Sequence, residues 1–239
     1  MKELNKITLI ALCLLFTSLL SLNAQVVINE IVPKPSSAFD VCDQAMSNSN
    51  SLACGNEWVE LYNPQECLFF DLSCYILASK TQAGSSGTFV FPEGSVIDPM
   101  GFLVIGGAGA TNVDVVISDY VNTDSFCGSD IWFLENTDGW IALFEPNGAL
   151  VNAVYWTFFD NEAFKINTES EFNIEPCLPT NACVEATSLP KAKDIGGIIY
   201  VGQVSDTDLS IRRTVDGGGT WENDGSPTAG ACNDAANCG

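Results

Sequence analysis

Three carboxylates stand among residues that favour strands. Glu30 lies in Val26-Val27-Ile28-Asn29-Glu30-Ile31, and Glu57 and Glu60 lie in Asn56-Glu57-Trp58-Val59-Glu60-Leu61-Tyr62-Asn63-Pro64. A pair of carboxylates is the equipment of glycoside hydrolysis, one group acting as acid and the other as base or nucleophile. Both must then face one site. Side chains alternate across a strand, so Glu57 and Glu60 are expected on opposite faces, which weakens them as a pair. Carboxylates are disfavoured in buried strands unless hydrogen-bonded or paired. The favoured expectation is therefore that these groups bond backbone amides or hydroxyls and fix strand register.

The rest of the catalytic menu is short. The chain has no His, which excludes Ser-His-Asp and Cys-His arrangements and every His-ligated metal site. Ser-Lys and carboxylate-pair chemistry remain. With no compact double Cys-x-x-Cys pattern, zinc is a poor reading as well. Asp206-Thr207-Asp208 and Asn223-Asp224-Gly225 place oxygen ligands close together, as calcium loops do, yet neither fits the twelve-residue EF-hand pattern. Solvated turn residues are the favoured reading, so no cofactor is assigned and calcium stands as a weak candidate. Trp156, Phe158 and Phe159 offer either a carbohydrate- or protein-binding patch or, for at least some of them, core packing.

The elements that must position these residues are strands. Short apolar runs bounded by turn signals dominate, and no segment sustains a helical period. Asn147-Gly148, between Trp140-Ile141-Ala142-Leu143-Phe144 and Val151-Asn152-Ala153-Val154-Tyr155, predicts a hairpin in which both turn residues tolerate positive φ. Residues 107–130 and 157–208 read as long loops, with a short strand at 198–201. Many short strands with few helices predict a sandwich.

Residues 1–24 predict a cleaved signal peptide: Lys2 and Lys6, an apolar run from Ile7 to Leu22, and the small Ala24 before the expected cleavage. The mature chain then starts at Gln25, and no other stretch is long and apolar enough to span a bilayer. The net charge is −21. Such acidity repels phosphate backbones and anionic membranes, so nucleic acid is not expected as a partner, and the lack of a further apolar stretch predicts no membrane insertion of the mature chain. Solubility is one reading of the acidity and divalent-cation binding the other. Of ten cysteines, nine remain once Cys13 is removed. Export predicts that most form disulfides. Spacing favours Cys42–Cys54, Cys67–Cys74 and Cys177–Cys183, leaving Cys127, Cys232 and Cys238 unassigned, although connectivity does not follow from sequence alone.

The two carboxylate-bearing stretches resemble the opening strands of the lamin tail domain, an immunoglobulin-like β-sandwich known from nuclear lamins and secreted bacterial proteins. The resemblance continues in order. It runs through Phe70-Asp71-Leu72-Ser73-Cys74-Tyr75-Ile76-Leu77, Phe89-Val90-Phe91, Gly101-Phe102-Leu103-Val104-Ile105 and the 140–155 hairpin. It ends at Ser210-Ile211-Arg212-Arg213, Trp221 and Pro227-Thr228-Ala229-Gly230-Ala231-Cys232-Asn233. It implies an all-β, immunoglobulin-like β-sandwich over residues 25–233 with long loop insertions, chiefly at about 157–208, and 234–239 as a tail or linker. Asn29, Glu30, Glu57, Trp58, Glu60, Asn63, Arg212 and Trp221 are its motif residues, with a structural role. Thr214-Val215-Asp216-Gly217-Gly218-Gly219-Thr220-Trp221 also resembles the Asp-box turn of β-propeller blades. One copy does not make a propeller. The implied function is non-catalytic binding or scaffolding, outside the cell or at its surface, of a protein or surface polysaccharide. The alternative is an accessory module, recognising carbohydrate, of a larger secreted hydrolase.

Overall fold

A computed structural model describes residues 25–33, 56–81, 85–107, 109–110, 112–128, 134, 136, 138–157, 170–202, 206 and 208–234. Their strands are β1 Val27–Val32, β2 Trp58–Tyr62, β3 Phe70–Asp71, β4 Ile76–Thr81, β5 Ser85–Val90, β6 Val96–Ile97 and β7 Phe102–Gly106. β8 Val115–Val116, β9 Phe126–Cys127, β10 Gly139–Phe144, β11 Leu150–Trp156, β12 Ile199–Tyr200, β13 Ser210–Val215 and β14 Gly218–Gly225 follow. They form an immunoglobulin-like sandwich. The first sheet runs β14-β13-β1-β2-β7-β8, the second β12-β11-β10-β4-β5-β9, and β3 and β6 pair as a separate ribbon.

Alternation along each strand fills the space between the sheets. Ile28, Ile31, Val59, Leu61 and Ile105 of the first sheet meet Leu77, Phe89, Ile141, Leu143 and Val154 of the second. The opposite face of the second sheet is also apolar. Ile76, Ala78, Val90, Trp140, Ala142, Phe144 and Tyr155 are buried there under Phe172, Leu189, Ala192 and Ile195. The segment expected as loop insertion thus supplies a roof over residues 170–200. It gives no sequence period because its apolar residues hang from short 3-10 turns, Ser170–Asn173 and Ala192–Asp194, and from irregular chain.

Two disulfides fasten that roof: Cys74–Cys183 and Cys127–Cys177. This corrects the expected local pairs Cys67–Cys74 and Cys177–Cys183. The cause is tertiary, because the roof folds back across β4, β5 and β9 and brings thiols 109 and 50 residues apart into bonding range. Cys67 and Cys232 are disulfide-bonded too, whereas Cys42, Cys54 and the signal segment lie outside the described residues. Trp156 packs in the central core rather than in a patch, and Phe158 and Phe159 lie outside the described residues. The hairpin at 147–148 forms, but only Gly148 takes a positive φ, +87°. Pro146 pins its own φ negative, so the turn runs Glu145–Gly148, closed by Gly148 N–H to Glu145 O at 2.9 Å.

Candidate functional site

The outer face of the first sheet is built differently. In β1 the register slips between Ile28, opposite Leu61, and Glu30, opposite Glu60. Asn29 is the extra residue of a β-bulge, which re-aims side chains on the bulged strand. Asn29, Glu30 and Glu60 are all fully buried. Glu30 also faces Arg212 of β13, so Arg212, Glu30 and Glu60 form one row across three strands.

The chain that follows β14 covers this row. Thr228 to Ala231 make a tight turn, Ala231 N–H to Thr228 O at 2.8 Å, with Gly230 at φ +74°. Glycine takes this positive φ without the steric cost a Cβ would bring. The carboxylates hold it from below. Gly230 N–H donates to Glu60 Oε2 at 2.8 Å. Thr228 donates its N–H to Glu30 Oε2 at 3.1 Å and its hydroxyl to the same oxygen at 2.6 Å. Asn29 Nδ2 bridges sideways, donating to Glu60 Oε1 and to Asp216 Oδ1, each at 2.9 Å. Its Oδ1 accepts Gly217 N–H at 3.1 Å. Asp216 Oδ1 accepts Asn233 N–H at 3.2 Å as well. The Asp-box-like stretch is therefore the β13–β14 hairpin, and its Asp reaches into this network.

Thr228 Oγ1 also lies 2.7 Å from Asn233 Oδ1. One hydroxyl hydrogen cannot serve both contacts. Both are satisfied when the Asn233 amide is turned so that Nδ2, otherwise buried without an acceptor, donates to Thr228 Oγ1. Amide orientation is assigned from such networks, not from atomic positions.

Burial dominates the electrostatics. Desolvation pushes the Glu60 carboxyl up to about 8, and nearby Glu30 and Asp216 add to it, against the opposing bonds from Asn29 and Gly230. Glu30 is raised by the same cause, restrained by bonds from Ser210 and Thr228 and by the Arg212 charge. Arg212 in turn donates Nε to Glu222 and Nη1 to Ser226 O at 3.0 Å, fixing the chain just before the turn.

The other motif residues fall into place around this row. Trp58 shares the outer face and packs with Val32 and Val104 beneath Ala110, Val113 and Ala229 of the turn. Glu57 precedes β2 and is half-buried, its carbonyl accepting Gly107 N–H at 3.2 Å. Asn63, fully buried, lies at the end of the sandwich and joins the loops there. Trp221 lies under the Arg213 guanidinium, whose carbon is 4.7 Å from the ring centroid. Arg213, beside the motif residue Arg212, donates Nε to Ile28 O at 2.9 Å next to the bulge. Asp216, Thr228, Gly230 and Asn233 stand in the Asp-box-like turn and the closing tail, where no role in the network is legible. Their signal is weak, because Asp-Gly and Thr-Ala-Gly are ordinary turn chemistry until their partners nearly 200 residues away are known.

Two carboxylates with separated proton affinities are also what an acid–base pair looks like. Here both oxygens of each are engaged by backbone or side-chain donors under a closed turn, and buried structural networks perturb affinities just as active sites do. The arrangement orients a chain segment and offers no open face to a substrate. Among the described residues no group of three or more Cys, Asp or Glu side chains is placed to hold a metal ion, and no helix is long and apolar enough to cross a membrane.

A rigid two-sheet frame with its polar row sealed inside defines an immunoglobulin-like module. The chain belongs to the lamin tail domain family: the profile of the Lamin Tail Domain matches residues 21–158. That stretch carries β1 to β11, whereas β13, β14 and the turn that closes over Glu30 and Glu60 lie beyond it. The family is a non-catalytic, immunoglobulin-like one. No curated protein matches the chain.

Proposed function

We propose that this domain is an exported, non-catalytic binding or scaffolding module that engages a protein or a surface polysaccharide. The observation that carries the reading is the closed state of the Glu30–Glu60 row. The best candidates for acid–base work are spent on holding the C-terminal turn, which leaves a stiff frame whose loops are free to vary. Disulfides at every described cysteine support an oxidising compartment, and residues 1–24 supply the export signal. The charge of −21 sets nucleic acid and anionic bilayers aside as partners.

The test joins binding to turnover. The exported chain is assayed on arrays of surface proteins and polysaccharides, and in a hydrolase screen against the same polymers. Saturable binding without turnover is expected. Turnover in the wild type, abolished in a Glu60→Ala variant of undiminished stability, would overturn the reading.

A further inference from the structure

Six large hydrophobic side chains are exposed among the described residues, and four of them come from two neighbouring segments, 64–71 and 92–101, at one end of the sandwich. They are Leu68, Phe69, Val96 and Met100, with Phe69 66% exposed. The β3–β6 ribbon sets their direction. Phe70 pairs with Ile97 and Asp71 with Val96. Phe70 and Ile97 pack into the core, so the alternate residues Phe69, Asp71 and Val96 face outward.

This surface is held from within. The buried Asn63 Nδ2 donates to Leu68 O at 2.9 Å and to Asp98 O at 3.0 Å, joining one loop to the other. Met100 N–H donates to Gln65 O at 3.0 Å, and the Tyr62 hydroxyl reaches Met100 Sδ at 3.3 Å. Apolar groups ordered before any partner arrives lose little entropy on binding. An exposed apolar cluster rimmed by polar groups marks an interaction site.

The rim identifies the occupant. Glu66, Asp71, Glu93 and Asp98 are exposed around the cluster. From residue 56 to 122 the sole Lys or Arg is Lys80, which is buried and donates Nζ to Asp138 O at 2.7 Å. A second copy of the chain would set like charges together, and an anionic bilayer would be repelled. We propose that this end of the domain is a docking surface for a basic segment of a partner protein, in which aliphatic or aromatic side chains are flanked by Lys or Arg. The inference rests on the binding reading above and specifies its site.

The probe is a twelve-residue peptide alternating Lys with Leu and Phe, beside its Glu-for-Lys counterpart, followed by amide NMR shifts on the full exported chain. Shifts confined to residues 66–71 and 93–101 are expected, with salt-sensitive affinity. The Phe69→Ser/Val96→Ser variant keeps the net charge, so it separates site binding from general attraction to an acidic protein. It should bind about tenfold or more weakly, as loss of a buried aromatic anchor does. Glu66→Gln/Glu93→Gln should weaken binding about threefold and flatten its salt dependence. Equal binding by the Phe69/Val96 variant would overturn this surface while leaving the binding reading intact. Preference for the acidic peptide, for phosphatidylglycerol vesicles, for a neutral polysaccharide or for a second copy in sedimentation would also overturn it. If the basic peptide bound only after deletion of residues 34–55, the chain itself would be the occupant and the proposal would fail. If no protein, peptide or polymer bound the wild type, both readings would fall together.

Discussion

The two outer faces of this sandwich are covered by opposite means. Over the second sheet lies a roof of Phe172, Leu189, Ala192 and Ile195, tied down by two disulfides. Over the first sheet lies a short turn held by Glu30 and Glu60 through directed hydrogen bonds, with Asn29 bracing Glu60. Apolar area and covalent links are indifferent to pH and tolerate an irregular chain. Hydrogen bonds to buried carboxylates demand one register and respond to protons. The second sheet's cover is thus a matter of area, and the first sheet's a matter of geometry.

The largest way to break the comparison is to cut the roof's covalent tie. Cys74→Ser with Cys183→Ser reopens a loop closed across 109 residues. Chain entropy puts the loss at about 4–5 kcal/mol, read as a fall in denaturation midpoint without reductant. Phe172→Ala, which empties a fully buried site on the roof, should cost about 3–5 kcal/mol. The cost should be the same at pH 5 and pH 8. A strongly pH-dependent penalty there would erase the distinction between the two faces.

The first sheet should show the converse. Glu60 sits near 8 in the folded chain against 4.5 for the ordinary group. Between these values the folded state binds more protons than the unfolded one, so stability falls as pH rises. The contribution is fully present below about pH 4.5 and lost by passage through about pH 8. Across the interval from pH 5 to about 8 the loss is on the order of 4 kcal/mol, since one unit corresponds to about 1.4 kcal/mol. Denaturant midpoints from pH 5 to 8.5 measure it. Glu60→Gln should flatten the slope, whatever it does to the plateau. A wild-type profile that rises through this range would refute the burial argument.

Smaller again is the loss of the acceptor itself. Glu60→Ala strands the Asn29 amide and Gly230 N–H, which should cost about 1–3 kcal/mol at pH 5. Amide exchange should quicken at Gly230 and its turn while leaving the roof over 170–200 protected. Equal deprotection of both covers would mean that the two faces open as one unit.

Much of the frame was legible beforehand, for a physical reason. The alternation in Val59-Glu60-Leu61 and the apolar run Trp140–Phe144 are local records of which face each residue must bury. The lamin-tail order of strands likewise stands in the chain. The polar constellation was half legible. Asn29, Glu30 and Glu60 were visible as polar residues in strands that should exclude them, yet nothing local named Thr228, Gly230 or Asp216 as their partners. The roof was the least legible part, because isolated apolar residues in irregular chain carry no period.

By itself the sequence determined the class of fold, the strand pattern, the absence of histidine chemistry and the strong acidity. All of these depend on residue type and short-range spacing. The tertiary structure alone decided that Cys74 joins Cys183, that a one-residue bulge sets Asn29 beside Glu60, and that the C-terminal turn lies over both. Those outcomes rest on contacts between residues far apart in the chain. No local preference encodes them, and they exist only once the two sheets have packed.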